Sequence, residues 1–370
     1  MDSAPRTYTL ALLPGDGIGP EVTAEAARVL DAAADAHGFS IQTSEHAVGG
    51  AGLDAENDPL PRATLDACLD ADAVFLGAVG GPDWDGYAAD LRPERGLLRL
   101  RARLGAFANL RPVAVSDAMA ERSPLRPERV AGTDLLIVRE LTGGIYFGHP
   151  RERTATEAYD TMRYAVAEVE RIARVAFAWA EKRSGRVTSV DKANVLATSR
   201  LWRNTVVALR DAEYPDVELD HVLVDAMAMK LIERPSAFDV ILTENMFGDI
   251  LSDEASVIAG SIGLAPSASL SESHGGLYEP IHGSAPDIAG QGKANPVGAI
   301  LSAAMLLRHA LGEGDAAAAI ERAVSECLSE GVGTGDIGGS AGTEEVVHRV
   351  CARIAEPNPS IPLAGTASRG

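Results

Sequence analysis

The chain has 370 residues, 46% of them hydrophobic, and a formal net charge of −20 from 33 basic and 53 acidic side chains. That length and apolar content give a globular protein with room for two domain-sized lobes, and the charge excludes nucleic acid as a general partner, so small anions must meet locally concentrated arginines. No apolar run reaches the roughly 18 residues of a membrane span, and MDSAPRTYTLALLPGDG has neither a basic n-region nor a long apolar h-region, so no membrane partner and a cytoplasmic location are expected. Cys68, Cys327 and Cys351 have no CxxC spacing, which fits free thiols in a reducing compartment and no zinc site.

TLALLPGDG reads as a strand ending in a Gly-rich turn. PEVTAEAARVLDAAADAHG then reads as a helix, with Pro20 near its start, a Val22, Ala26, Val29, Leu30, Ala33 stripe, and Gly38 closing it. The alternation recurs: AVFLGAVGG, TDLLIVREL, GRVTSVDKA, LDHVLVDA and FDVILTEN are short apolar strands, with helical patterns such as TMRYAVAEVERIARVAFAWAEKR between several of them. An α/β fold follows. TGGIYFGHPRERTATEAYD interrupts the rhythm and reads as a hairpin or arm, and the Pro-, Gly- and Ser-rich EPNPSIPLAGTASRG as a frayed tail.

GDGIGP, residues 15–20, fails the dinucleotide fingerprint G-x-G-x-x-G, because proline stands where the third glycine permits close helix–strand packing. The carboxylates are more informative. Asp249 and Asp253, four apart in a helical FGDILSDEAS, share a face one turn apart, so either a cation sits between them or they line a wet surface. Asp225, at the end of the strand in HVLVDAMAMKL, can complete an all-oxygen site of the kind Mg²⁺ or Mn²⁺ favours. Arg101 and Arg111 in GLLRLRARLGAFANLRP, with Arg139 at a strand end, suit a dicarboxylate; Arg99 and Arg103 of the same run read as surface residues. Lys192, after the strand GRVTSVD, and Tyr146 in GGIYFGHP are the candidate proton carriers.

Together, GDGIGPEV, GLLRLR, FANLRPV, VRELTGGIYFG, VDKANVL, VDAMAM, ENMFGDILSDEAS, YEPIHGSAPDIAG, GKANPVGAILS and TGDIGG closely resemble the isocitrate/isopropylmalate dehydrogenase family, its isopropylmalate branch above all, over residues 8 to 354. These are metal-dependent β-hydroxyacid oxidative decarboxylases, which also include homoisocitrate and tartrate/D-malate dehydrogenases. The resemblance implies a two-lobed α/β homodimer that binds NAD outside a Rossmann motif. One lobe would comprise residues 1–107 and 262–370, the other 108–261, with an arm at 143–165 embracing the partner. The implied reaction is NAD-dependent oxidative decarboxylation of (2R,3S)-3-isopropylmalate to 4-methyl-2-oxopentanoate, a step toward leucine.

By the same resemblance Asp249 and Asp253 bind Mg²⁺ or Mn²⁺ with Asp225 of the other subunit, and Lys192 also crosses over. Lys192, its ammonium form disfavoured beside a cation, takes the C2 hydroxyl proton, and Tyr146 helps reprotonate C3. Glu94, Leu97, Leu98, Arg101, Arg111, Arg139, Asn194, Val195 and Asp225 would contact substrate, the two leucines accepting an isopropyl group. Glu94, His282, Gly283, Ser284, Ala285, Pro286, Asp287, Ile288 and Asn295 would contact NAD, Asp287 facing the ribose diol and Asn295 near the adenine.

Overall fold

The computed structural model describes residues 6–88 and 91–356; the expected frayed tail lies, from 357 onward, outside the described residues. In chain order the strands are β1 (Thr7–Gly15), β2 (Ser40–Glu45), β3 (Ala73–Ala78), β4 (Ala106–Ala114), β5 (Asp134–Glu140), β6 (Glu152–Arg153), β7 (Ala158–Tyr159), β8 (Arg186–Asp191), β9 (Glu218–Leu223), β10 (Val240–Thr243), β11 (Pro266–Ser271) and β12 (Leu277–Pro280). The helices among the described residues begin with α1 (Gly19–His37), α2 (Gly50–Glu56), α3 (Arg62–Asp70), α4 (Pro93–Leu104), α5 (Asp117–Ala120), α6 (Pro127–Val130) and α7 (Val166–Glu181). They continue with α8 (Ala197–Glu213), α9 (Val224–Glu233), α10 (Asn245–Ile258), α11 (Val297–His309), α12 (Gly314–Ser329) and α13 (Thr343–Ile354). None of them is long and apolar enough to cross a membrane.

Strand alternation builds the core on both faces of the sheet. Leu10 and Leu12 of β1 and Phe75 of β3 join the larger apolar cluster, with Val22, Ala26, Val29, Leu30 and Ala33 of α1. Their neighbours Ala11, Leu13, Val74 and Leu76 join a second cluster with Leu65 of α3 and Leu100 and Leu104 of α4. Successive side chains of a strand point to opposite faces, so an unbroken apolar run such as AVFLGA is the pattern of a strand covered on both sides. Burying a valine, leucine or phenylalanine side chain of this kind contributes about 1.5–3 kcal/mol.

Ten strands form one sheet in the order β2-β1-β3-β12-β11-β4-β5-β10-β8-β9. β11 is antiparallel to both β12 and β4, β4 is antiparallel to β5, and the other pairs are parallel. The sheet therefore has two parallel wings joined by antiparallel strands. One wing is drawn from both ends of the chain; the other is drawn from its middle. β6 and β7 pair as a separate exposed hairpin, as TGGIYFGHPRERTATEAYD leads one to expect. One expectation is corrected: the strand in LDHVLVDA stops at Leu223, so Asp225 stands in the first turn of α9 rather than at a strand end. A carboxylate there complements the positive end of the helix dipole.

Candidate active site

Strand register brings the arginines together. In the antiparallel β4–β5 pair Asn109 lies opposite Arg139, and Arg111 is two residues from Asn109, so all three share one face of the sheet. The Asn109 side-chain oxygen accepts a hydrogen bond from Arg111 Nε at 2.7 Å. Asn245, the first residue of α10, does the same for Arg139, taking Nε at 3.2 Å and Nη2 at 2.8 Å. Both guanidiniums are buried, with Arg139 3% and Arg111 6% exposed. Unpaired buried charges of that kind are costly, and α10 supplies the counter-charges.

α10 follows β10, whose last residue Thr243 pairs with Arg139. Glu244 caps the helix by accepting the N–H groups of Met246 and Phe247. Position 248 has to be glycine because a Cβ there would lie 2.6 Å from Arg139 Cγ. This close approach brings Asp249 against Arg139, Nη1 donating to Oδ1, and Arg111 Nη1 donates to Ser252 Oγ at 2.6 Å and to Asp253 Oδ1 at 3.0 Å. Burial alone would push Asp249 up, but Arg139 and Arg111 outweigh it and hold its carboxyl below the ordinary range. Asp253 goes the other way, raised by burial and by Asp249 despite Arg111. Arg111 is pulled down to about 10 by burial and by Arg139.

Tyr146 closes a 3-10 turn, Gly144–Tyr146, just beyond β5, and its hydroxyl donates to Asp249 Oδ2 at 2.9 Å. Burial first, then the Asp249 charge, pushes the phenol up to about 12, so it carries its proton at neutral pH. Arg101 comes from α4 on the other wing. Its Nη2 donates to buried Glu279 of β12 at 2.6 Å, while its Nε is buried with no partner among the described residues. Arg101 lies close enough to bias the titration of Arg111, Arg139 and Asp249. Arg99 instead pairs with Asp58 at the surface.

Lys192 and Asp225 form a pair of their own, Nζ donating to Oδ1, with no hydrogen bond or ion pair to the Arg139–Asp249 cluster among the described residues. Asn194 and Val195 beside them are exposed. Asp225, Met229 and Ile232 lie on one face of α9, and Ile250 and Val257 on one face of α10; all five are exposed, Met229 by 61% and Ile250 by 60%. Among the described residues no group of three or more histidines, cysteines, aspartates or glutamates is arranged to hold a metal ion. Asp249 and Asp253 can thus give a hard cation two carboxylates, and further oxygen ligands must come from elsewhere.

Glu94, Leu97, Leu98 and Arg101 follow the i, i+3, i+4, i+7 spacing of one helix face on α4. Leu97 packs against the second apolar cluster, Leu98 is half-buried, and Glu94 is exposed with its Oε1 against Gly80. The segment His282–Ile288 is a loop in which Ala285 adopts φ +38° and Asp287 is exposed. His282 is buried with Nε2 unpartnered among the described residues, and burial lowers its pKa. Asn295 donates to Asp336 at 3.0 Å and accepts from Val297 N–H. An unpaired buried nitrogen and an open loop next to it fit a polar ligand such as a dinucleotide.

Sequence reading passed over Asn109, Asn245, Ser252 and Glu279, each of which orients an arginine. Only Asn109 carried a signal: strand alternation puts it on the face of Arg111.

The isocitrate/isopropylmalate dehydrogenase family model matches residues 9–350. A 3-isopropylmalate dehydrogenase of Anaeromyxobacter dehalogenans is 55% identical over 94% of this chain and 99% of its own length, and one of Salinibacter ruber 56% identical over 96% and 97%. Among solved structures, an isocitrate dehydrogenase from Methylococcus capsulatus matches with a TM-score of 0.83 at 35% identity, covering 94% of this chain and all of that one. A beta-decarboxylating dehydrogenase from Thermococcus kodakarensis matches with a TM-score of 0.76 at 39% identity, covering 94% and 96%. On this coverage and identity, the chain belongs to the isocitrate/isopropylmalate dehydrogenase family.

Proposed function

We propose that the protein is an oxidoreductase of leucine biosynthesis that oxidatively decarboxylates 3-isopropylmalate, using NAD and Mg²⁺ or Mn²⁺. The observation that carries this is the cluster of Arg101, Arg111, Arg139, Tyr146, Asp249 and Asp253. Its three guanidiniums are matched by Asp249, Asp253 and the buried Glu279 that pairs with Arg101, so a dianionic substrate and a divalent cation can enter together without changing the net charge.

When bound, NAD accepts the hydride from C2 and the cation polarises the oxygen at C2. Asp249 and Asp253 would hold the cation with Asp225 of a second copy. The three arginines bind and orient the two carboxylates, the unpaired Nε of Arg101 being a free donor for one of them. Lys192 removes the C2 hydroxyl proton. Decarboxylation leaves a carbanion equivalent at C3, and Tyr146, a phenol that keeps its proton, supplies one there.

The exposed apolar faces of α9 and α10 support a homodimer with shared sites, because such faces favour burial against a partner and Asp225 lies on one of them. Residues 1–107 with 262–370 form the proposed cofactor-side lobe and 108–261 the dimer lobe, with the 143–165 hairpin as its arm. A cytoplasmic location is part of this reading.

Leu98, half-buried on the α4 face that carries Arg101, supports an isopropyl substituent rather than an added carboxylate. An apolar pocket discriminates against smaller substrates by only about 1–3 kcal/mol, so D-malate or tartrate is the second reading, and homoisocitrate needs polar partners for its additional carboxylate. Steady-state rates with 3-isopropylmalate, D-malate, isocitrate and homoisocitrate, with NAD and Mn²⁺, decide between them. The highest kcat/KM on a substrate other than 3-isopropylmalate would overturn the assignment, and no turnover of any of the four would favour a catalytically silent regulatory subunit.

Cofactor choice is read at Asp287 and Ile288. A carboxylate accepts hydrogen bonds from both ribose hydroxyls and repels a 2′-phosphate, so NAD is favoured over NADP. In the double variant Asp287→Lys/Ile288→Tyr the ratio of kcat/KM for NADP over NAD is expected to rise by at least about tenfold, roughly 1.4 kcal/mol. An unchanged ratio in an active variant would show that this loop does not read the ribose.

A further inference from the structure

The GDG turn that fails as a dinucleotide fingerprint has another use. Asp16 is buried, 5% exposed, and has no cationic partner among the described residues. Its Oδ2 accepts the N–H of Gly50 at 2.9 Å and of Gly80 at 2.8 Å, and its Oδ1 accepts the N–H of Ala51 at 2.9 Å. One carboxylate thus fastens the start of α2 and the loop after β3 to the end of β1. Burial raises its pKa against the effect of these three donors.

The same turn grips the candidate cofactor loop. Ile18 N–H donates to Ser284 O at 2.7 Å, and a Cβ at Gly17, where φ is +58°, would lie 2.0 Å from that oxygen. Asp16 N–H donates to Ala78 O at 2.8 Å. Gly80, held by Asp16, lies against Glu94, so that a Cβ at this position would be only 2.8 Å from Oε1. Gly80 and Ser284, 204 residues apart in sequence, are therefore both bonded to a single tripeptide.

We propose that Asp16 is a positioning residue for the dinucleotide: its carboxylate locks the Gly80 loop, the start of α2 and, through Gly17 and Ile18, the 282–288 loop into one preformed wall. The proposal rests on the reading of that loop as an NAD site. Preforming the wall removes an ordering cost from binding, so loss of the clasp falls on affinity for NAD rather than on the chemical step. Asparagine at 16 keeps the shape but turns an NH₂ group toward at least one N–H donor, leaving that donor buried and unpaired.

The test is calorimetric titration of NAD into the wild-type protein, Asp16→Asn and Gly17→Ala, with steady-state kinetics on the same preparations. In both variants the dissociation constant for NAD and KM for NAD are expected to rise by at least about tenfold, with kcat and the affinity for 3-isopropylmalate measured without NAD far less affected. Gly17→Ala perturbs the Ser284 contact from the other side and keeps the proposal testable if Asp16→Asn does not fold. Lower thermal stability with unchanged NAD affinity in the folded variants would reduce Asp16 to a structural residue and overturn the proposal. Wild-type protein that binds no NAD would overturn the cofactor reading and this proposal together, whereas wild-type binding matched by both variants would overturn this proposal alone.

Discussion

Asp249→Asn is expected to abolish most activity, lowering kcat by at least about 100-fold, because even partners one shell removed from a catalytic metal are worth 10–100-fold. The substitution keeps the shape of the side chain and removes its charge. Arg139 retains Asn245, which accepts from both Nε and Nη2, so the fold is expected to hold, and an unchanged circular dichroism spectrum checks this. Asp225→Asn makes the sharper test. Its side chain is 61% exposed and, among the described residues, pairs with no side chain but Lys192, so within one chain its loss has little to disturb. A comparable loss of activity, with a raised Mn²⁺ requirement and the same loss on chelation, is expected if Asp225 enters the site of a second copy. Near-wild-type turnover with ordinary metal dependence in either variant would remove that aspartate from the metal site.

Mixing Lys192→Ala protein with Tyr146→Phe protein is expected to restore activity that neither has alone. Removal of a positioned proton carrier typically costs about 10²–10⁴-fold, so each parent should be nearly silent. Tyr146 touches Asp249 in its own chain, whereas Lys192 has no bond to that cluster among the described residues. If Lys192 serves the neighbouring site, a mixed dimer holds one site with both lesions and one with neither. Random exchange of equal amounts makes about half the dimers mixed, each with one intact site, for a recovery of about one quarter of wild-type activity. Demonstrated exchange without recovery would put both groups in one chain's site.

Much of the fold is legible because its strands are apolar runs bounded by glycine and charge. β1, β3, β5, β8 and β10 all stand out in this way. β11, PSASLS, does not: Ser267 and Ser269 are fully buried but polar, so no hydrophobic pattern marks the strand. β2 is hidden for the opposite reason, since SIQTSE is an exposed edge with nothing to alternate against. Arg139, which the structure brings to the Asp249 cluster, could be found because strand ends are readable, and the same signal marked Lys192, which pairs with Asp225. The partners of the arginines could not, because Asn245 reaches Arg139 only through the β5–β10 register, and Glu279 meets Arg101 across 178 residues of chain. Asp225 was misplaced by one element because apolar character continues unbroken from β9 into α9, and composition does not mark where strand becomes helix.

The pairing of charges within the site has a thermodynamic consequence for ligand binding. Arg139 holds Asp249, Arg111 holds Asp253 and Arg101 holds Glu279. At the proposed site, a divalent cation arriving alone would draw Asp249 away and leave a buried guanidinium without its counter-charge, while a dianion arriving alone would strand a carboxylate. Arriving together, they exchange partners and leave no charge unmatched. Metal and dicarboxylate are therefore expected to bind cooperatively, each tightening the other by the same factor, as equilibrium reciprocity requires.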